Sequence, residues 1–319
     1  MTRAILIASP NLSLDRTIEV RSISVGHVHR SITSDARGGG KGVNVARALA
    51  CMGWRSTVVG LSAGRTGGAV TGMLADERIT TIAVPAGGET RSCLTVLSDN
   101  DVTVFNESGP TLEREHWDSF EAAVVDRLTR DTVLVCSGSF PPGAPDDGAA
   151  RLISAAHRIG CISICDTSRT QLTHALGAGP DVIAPNLAEA LGVLEGTERE
   201  PVDMGAGALD TAGEAAAALA ARGPSAVVVT AGAAGAVSRI GGDTRRWLPH
   251  AVALRNPVGA GDCFIAGLAL GMSRAEDLVA AARRGFAMAA AGCETFAAGA
   301  LEAGRVEELM ESSRRHPGA

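Results

Sequence analysis

Most of this chain alternates short, wholly apolar runs with longer alanine-rich amphipathic stretches. That alternation restricts it to an α/β fold with a parallel sheet and helices on both faces. Val133-Leu134-Val135-Cys136, Ile162-Ser163-Ile164-Cys165, Val182-Ile183-Ala184 and Val227-Val228-Val229 read as strands buried on both sides, because a strand with one wetted face would interleave polar residues. Between them, residues 148–159, stopped by Gly160, and 209–222, stopped by Gly223, carry helical periodicity and a glycine at the place where helices commonly end. The apolar start, Ala4-Ile5-Leu6-Ile7-Ala8, reads as a first buried strand and is too short for a signal peptide. With 319 residues, 45% of them hydrophobic, the chain has material for one large core, and a single domain over residues 1–319 is expected.

Two regions break the rhythm. Residues 14–35 hold short alternating stretches such as Thr17-Ile18-Glu19-Val20, and residues 89–107 resemble a hairpin, Arg91 to Leu97 and Val102 to Asn106 about a polar turn at 98–101. Together they predict a small β lid assembled from two separated pieces, about 12–36 and 88–107. A further hairpin is expected over 236–248, turning at Gly241-Gly242-Asp243.

Composition excludes several functions. A net charge of −6 with 3% aromatic residues and no tyrosine leaves neither a basic face nor stacking platforms for nucleic acid. No segment approaches the roughly 18 apolar residues of a membrane span. Seven cysteines without a CxxC pair predict reduced thiols and a cytoplasmic protein, and no histidine spacing suggests zinc.

The chemistry concentrates where glycines meet helix starts. In Asn256-Pro257-Val258-Gly259-Ala260-Gly261-Asp262 two glycines bracket a small residue, a carboxylate follows, and an apolar helix begins at once. Free backbone N–H groups and the positive end of a helix dipole attract phosphate there. An aspartate facing bound phosphate needs a chemical reason, and taking a proton from an attacking hydroxyl supplies one. Gly38-Gly39-Gly40-Lys41-Gly42-Val43-Asn44 is a second glycine-rich loop before a helix. It is not a P-loop, since glycine rather than serine or threonine follows the lysine, and it serves either close approach to a ligand or a plain turn. Asp15, just past the first strand, suits sugar hydroxyls or a turn; Arg91, at the start of the lid hairpin, suits an anionic substrate or solvent. Ser137-Gly138-Ser139 and Pro141-Pro142-Gly143 follow another strand, with small residues that admit a ligand. Asn186 and Glu189, one helical turn apart, either orient Mg²⁺ or cap a helix. Thr230-Ala231-Gly232-Ala233-Ala234-Gly235 leaves a strand into small residues, as suits a nucleotide across the turn.

Gly39-Gly40-Lys41-Gly42-Val43-Asn44 and Gly259-Ala260-Gly261-Asp262, with the intermediate motifs in order, resemble the PfkB/ribokinase-type carbohydrate kinases along essentially the whole chain. Within them the chain is similar to the phosphosugar branch of 1-phosphofructokinases, minor 6-phosphofructokinases and tagatose-6-phosphate kinases. The resemblance implies a ribokinase-like three-layer α/β/α fold, a mostly parallel sheet, a small β-sheet lid, and a homodimer formed through that lid. It implies ATP and Mg²⁺ as cofactors and a phosphorylated ketohexose as substrate. Asp262 would be the base, with Gly259, Ala260 and Gly261 as the anion hole. Asp15, Gly39, Gly40 and Asn44 would hold the sugar; Lys41 and Arg91 would face its phosphate, with Ser139 beside them. Asn186 and Glu189 would position the metal, and Asn186, Thr230, Gly232 and Gly235 would border the nucleotide. The chain departs from the pattern at Asn256-Pro257, His29, Arg169 and Glu294. The rival readings are a kinase of the same fold for an unphosphorylated sugar or nucleoside, and a sensor that binds sugar or nucleotide without turnover.

Overall fold

The computed structural model describes residues 2–99, 101–197 and 205–315. The chain opens with β1 (Ala4–Ala8) and then leaves the body to form β2 (Ser13–Glu19) and β3 (Thr33–Gly39) of a second sheet. Gly40 alone joins β3 to α1 (Lys41–Cys51), after which β4 (Ser56–Ala63), α2 (Gly64–Asp76) and β5 (Thr80–Ala86) return to the body. A second excursion builds β6 (Arg91–Leu97) and β7 (Val102–Asn106), and α3 (Arg114–Val125) leads back to β8 (Thr132–Ser137). Regular alternation follows: α4 (Gly148–Ile159), β9 (Ile162–Asp166), α5 (Arg169–Gly177), β10 (Val182–Ile183), α6 (Leu187–Glu195), α7 (Ala208–Ala220) and β11 (Ala226–Thr230). The chain closes with the hairpin β12 (Ala236–Ile240) and β13 (Asp243–Trp247), then α8 (Ala260–Ser273), α9 (Leu278–Cys293) and α10 (Ala303–Arg315).

The large sheet runs β13-β12-β11-β10-β9-β8-β1-β4-β5. It is parallel from β11 to β5, and only the β12–β13 hairpin at one edge is antiparallel. Its strands are apolar on both faces because both faces are covered. Ile5, Ile7, Val133 and Val135 join a core with α1, α8, α9 and α10, while Leu6, Ala8, Leu134 and Cys136 join one with α3 to α7. Each buried Val, Leu or Ile contributes about 1.5–3 kcal/mol. This is the three-layer arrangement expected from the alternation.

The strand expected at Val182-Ile183-Ala184 is one residue shorter, and a single bridge from Asn186 to Thr230 continues its pairing. The helix expected over 209–222 spans Ala208–Ala220. The second sheet has the order β3-β2-β6-β7, with β2 and β6 parallel at its centre. Its strands come from two pieces of chain, 13–39 and 91–106, and Asn100 of the expected turn lies outside the described residues. Among the described residues, no helix is long and apolar enough to cross a membrane.

One helix is buried on every side. From Asp262 to Ser273 each residue of α8 is buried, as an apolar helix surrounded by protein must be. It crosses α9 so closely that a Cβ at Gly267 would lie 2.6 Å from the Gly285 Cα.

Candidate active site

The carboxyl ends of the parallel strands bring Ser137, Asp166, Asn186 and Thr230 to one edge of the sheet, where ligands of such folds gather. The amino end of α8 meets the same edge. Gly259 caps it in left-handed backbone (φ +87°), and a Cβ there would lie 2.9 Å from the Gly299 nitrogen, so only glycine fits. The Ala260 N–H donates to the Pro257 carbonyl at 3.2 Å and the Cys263 N–H to the Gly259 carbonyl at 2.9 Å, which leaves the first-turn amides of Gly261 and Asp262 to face outward. Asn256, buried, ties this turn to the chain behind it: Nδ2 donates to the Phe296 carbonyl at 2.8 Å and Oδ1 accepts the Val258 N–H at 2.9 Å.

Asp262 is 5% exposed and accepts a 2.8 Å hydrogen bond from Asn44 Nδ2. Burial pushes its carboxyl up to about 7; the Lys41 ammonium and the Asn44 hydrogen bond pull against burial, while Asp166 and Asp15 add to it. Lys41 extends from the first turn of α1 and keeps 40% of its side-chain surface exposed. Its Nζ lies 3.5 Å from Asp166 Oδ1 and 3.6 Å from Glu189 Oε1. Burial draws the ammonium down, but the carboxylates of Asp166, Glu189 and Asp262 outweigh it and hold Lys41 protonated.

The residues expected on the sugar side occupy the lid sheet and its roots. Asp15 Oδ2 accepts the Gly40 N–H at 3.3 Å, and Ser13 Oγ donates to Oδ1. A Cβ on Gly39 would fall 2.1 Å from the Asp15 Cγ, so the bare glycine is what lets this carboxylate lie across the loop. Arg91 donates through Nη1 to the Glu107 carbonyl at 3.2 Å and through Nη2 to the Asn11 carbonyl at 3.3 Å. Asn11 Nδ2 donates to Ser139 Oγ at 3.1 Å and to the Ser108 carbonyl at 3.0 Å. Arg91 Nε and Asn11 Oδ1 are buried without a partner, a costly state that marks a place where a ligand or water completes the pairing.

Asp262, Asn44 and Lys41 therefore sit together, Asp15 with Gly39 and Gly40, and Arg91 with Ser139 through Asn11. Lys41 and Arg91 have separate partners: Lys41 turns to acids at the strand ends, Arg91 to carbonyls at the lid root. Asn186 and Glu189 form a reciprocal cap of α6, with Asn186 Oδ1 accepting the Glu189 N–H at 2.9 Å and Glu189 Oε2 accepting the Asn186 N–H at 3.0 Å. Thr230 ends β11 and Gly232 and Gly235 follow it, where the Ala231 N–H closes a turn on the Gly235 carbonyl at 2.8 Å.

Sequence reasoning missed Asp166. Its Oδ2 accepts the Ser137 hydroxyl at 3.0 Å while Oδ1 faces Lys41, and its place at the carboxyl end of a buried strand was the available signal. It also gave Asn11 no role. Of the departures from the pattern, Glu294 pairs with Arg305 (Nε–Oε2 2.9 Å) and accepts the Ala253 N–H. His29 Nε2 contacts the backbone of Ser24 in an exposed loop. Arg169 adopts φ +56°, a conformation natural to glycine.

The donor set suits a magnesium ion. Three carboxylates, Asp166, Glu189 and Asp262, act on one lysine, so acid outnumbers base where the glycine loops are expected to take phosphate. Among the described residues no three His, Cys, Asp or Glu side chains form a metal cage. That is compatible with an ion that keeps most of its waters and takes one or two protein oxygens plus phosphate.

Known proteins share the sequence pattern and the fold of this chain. The pattern of the family described as pfkB family carbohydrate kinase matches residues 10–303. The chain is 32% identical to a 1-phosphofructokinase of Rhodobacter capsulatus over 287 residues, 89% of this chain and 88% of that one. Phosphofructokinase-2 from Escherichia coli in complex with fructose-6-phosphate superposes with a TM-score of 0.84 at 26% identity, over 98% of this chain and 99% of that one. Arabidopsis thaliana ribokinase complexed with ribose and ATP shares the fold, with a TM-score of 0.71 at 18% identity over 98% and 99% of the two chains.

Proposed function

The chain belongs to the pfkB family of carbohydrate kinases, and from that premise we propose that it transfers the γ-phosphoryl group of ATP to a primary hydroxyl of a phosphorylated ketohexose: fructose 1-phosphate, fructose 6-phosphate or tagatose 6-phosphate. The observation that carries the reading is the buried Asp262 carboxyl at the amino end of α8, bonded to Asn44 and flanked by the Lys41 ammonium. The acceptor oxygen bonds to the γ-phosphorus as its proton passes to Asp262, and the bond from that phosphorus to the β–γ bridging oxygen breaks to release ADP. Positioning and charge supply most of the acceleration in such transfers. The backbone amides of Gly259, Ala260 and Gly261 face the developing charge, with Ala260 the weakest contributor because its N–H already has a partner.

Asp15, Gly39, Gly40 and Asn44 hold the sugar. Arg91 and Ser139 receive its phosphate, a role supported by the unpartnered Arg91 Nε. Lys41, expected from the sequence to share that duty, is assigned instead to the transferring phosphoryl group, because its neighbours are Asp166 and Glu189. Glu189 and Asn186 would hold Mg²⁺, which when bound neutralises charge on the ATP phosphates. Thr230, Gly232 and Gly235 border the nucleotide. The lid exposes Val28 (89%) and Phe105 (58%), and a second copy covering them forms the expected homodimer; sedimentation as a monomer at working concentrations would exclude it.

An ADP-release assay with MgATP against the three phosphosugars, and against fructose, ribose and adenosine, tests the assignment. Preference for one phosphosugar is the expected result, and turnover confined to uncharged acceptors would overturn the roles of Arg91 and Ser139. The base must be ionised to act, and its carboxyl titrates near 7. We therefore expect kcat/KM to climb tenfold per pH unit below about 7 and to level above it.

A further inference from the structure

Arg47 lies on α1 three residues after Asn44, which puts both side chains on one face of the helix. It is 6% exposed. Its Nε donates to Glu77 Oε2 at 2.6 Å, and Nη2 donates to Glu77 Oε1 at 2.9 Å and to the Gly38 carbonyl at 2.6 Å. Its Nη1 donates to Asn44 Oδ1 at 2.9 Å and to the Ala298 carbonyl at 3.4 Å. One carboxylate would satisfy the charge of a buried guanidinium. The other contacts converge on the site: Gly38 on lid strand β3, Ala298 in the loop pressed against Gly259, and Asn44 on the base.

Chemistry fixes the direction of these bonds. Arginine has donors and no acceptor, so the Asn44 oxygen must face Arg47, and Nδ2 must then face Asp262. We propose that Arg47 is a positioning residue for phosphoryl transfer, locking the Asn44 carboxamide so that its N–H, and never its oxygen, is presented to Asp262. This rests on Asp262 being the base.

An amide released from Arg47 can turn by half a rotation. Its oxygen would then accept a hydrogen bond from the protonated carboxyl and favour the form that cannot act as a base. The other groups facing Asp262 are Lys41 from α1, Asp166 from β9, Asp15 from β2 and the neutral Cys263 thiol beside it on α8. Arg47 itself is faced by Glu77, just past α2. None of these replaces the lost orientation.

The test compares Arg47→Met and Glu77→Gln with the parent protein. Two profiles are read from pH 5.5 to 9: kcat/KM, and the difference in melting temperature between each protein and its Asp262→Asn counterpart. A carboxyl whose folded value exceeds its unfolded one costs stability as pH rises toward the folded value, so this difference follows Asp262 without substrate. Arg47→Met should move both profiles to higher pH by about one unit, whereas Glu77→Gln, which leaves Nη1 on Asn44, should leave them in place. Should Arg47→Met not fold, Arg47→Lys, which keeps a cation for Glu77 without the fork, should give the same shift. Lower stability with both profiles unmoved would overturn the proposal and reduce Arg47 to a strut. A shifted melting difference in a protein inactive on every phosphosugar would uphold it while removing the assigned reaction.

Discussion

Asp262→Asn is expected to lower kcat by at least ~10²–10⁴-fold, the usual contribution of a positioned base, with little change in nucleotide affinity. The amide matches the carboxylate in size and keeps an oxygen for Asn44 Nδ2, so the local packing survives. The same variant should be more stable than the parent above pH 7. The parent carboxyl titrates near 7 when folded and near 4 when unfolded. Folding therefore favours its neutral form, and the parent loses stability as pH rises between those values and does not regain it. The variant has no charge to bury, so the gap in melting temperature should open from pH 5 to pH 8. A turnover within tenfold of the parent's would remove Asp262 from the chemistry.

Lys41→Met is the other large loss expected, roughly 10²–10³-fold in kcat, comparable to deleting one donor to a developing anion. Two causes contribute and pH separates them. Without the ammonium, Asp166 and Glu189 lose their partner and Asp262 loses the charge that pulls its carboxyl down. The fraction of base ionised at neutral pH then falls, and raising the pH restores it. Whatever deficit persists at pH 9 measures the missing contact with the transferring phosphoryl group. Full recovery at high pH would return Lys41 to a purely indirect role, and an unchanged kcat at neutral pH would refute both.

The layers of the fold were legible because buried parallel strands and glycine-stopped helices leave separate periodicities. The strands β4 and β5 were harder to see: Ser56-Thr57 and Thr80-Thr81 dilute the apolar pattern near an edge of the sheet. The two glycine loops stood out as candidate sites, since each sets functional side chains beside close backbone approach: Lys41 and Asn44 in one, Asp262 in the other. Direction was not legible. Lys41 and Arg91 share a charge, but where each points depends on Asp166, 125 residues from Lys41, and on the carbonyls of Asn11 and Glu107. Arg47 looked like one more polar residue of a helix, because nothing local announces that Glu77, Gly38 and Ala298 meet around it.

The lid sheet is tethered to the body four times, through 9–12, Gly40, 87–90 and 107–113. All four leave from one edge, where Ser13 pairs with Gly39 and Arg91, and Cys93 with Asn106; a plate held along one edge swings about that line. One tether is a single residue, and beyond it stands Lys41. Swinging the lid over a sugar is therefore mechanically a pull on the first turn of α1, so a force applied at one substrate is felt at the other.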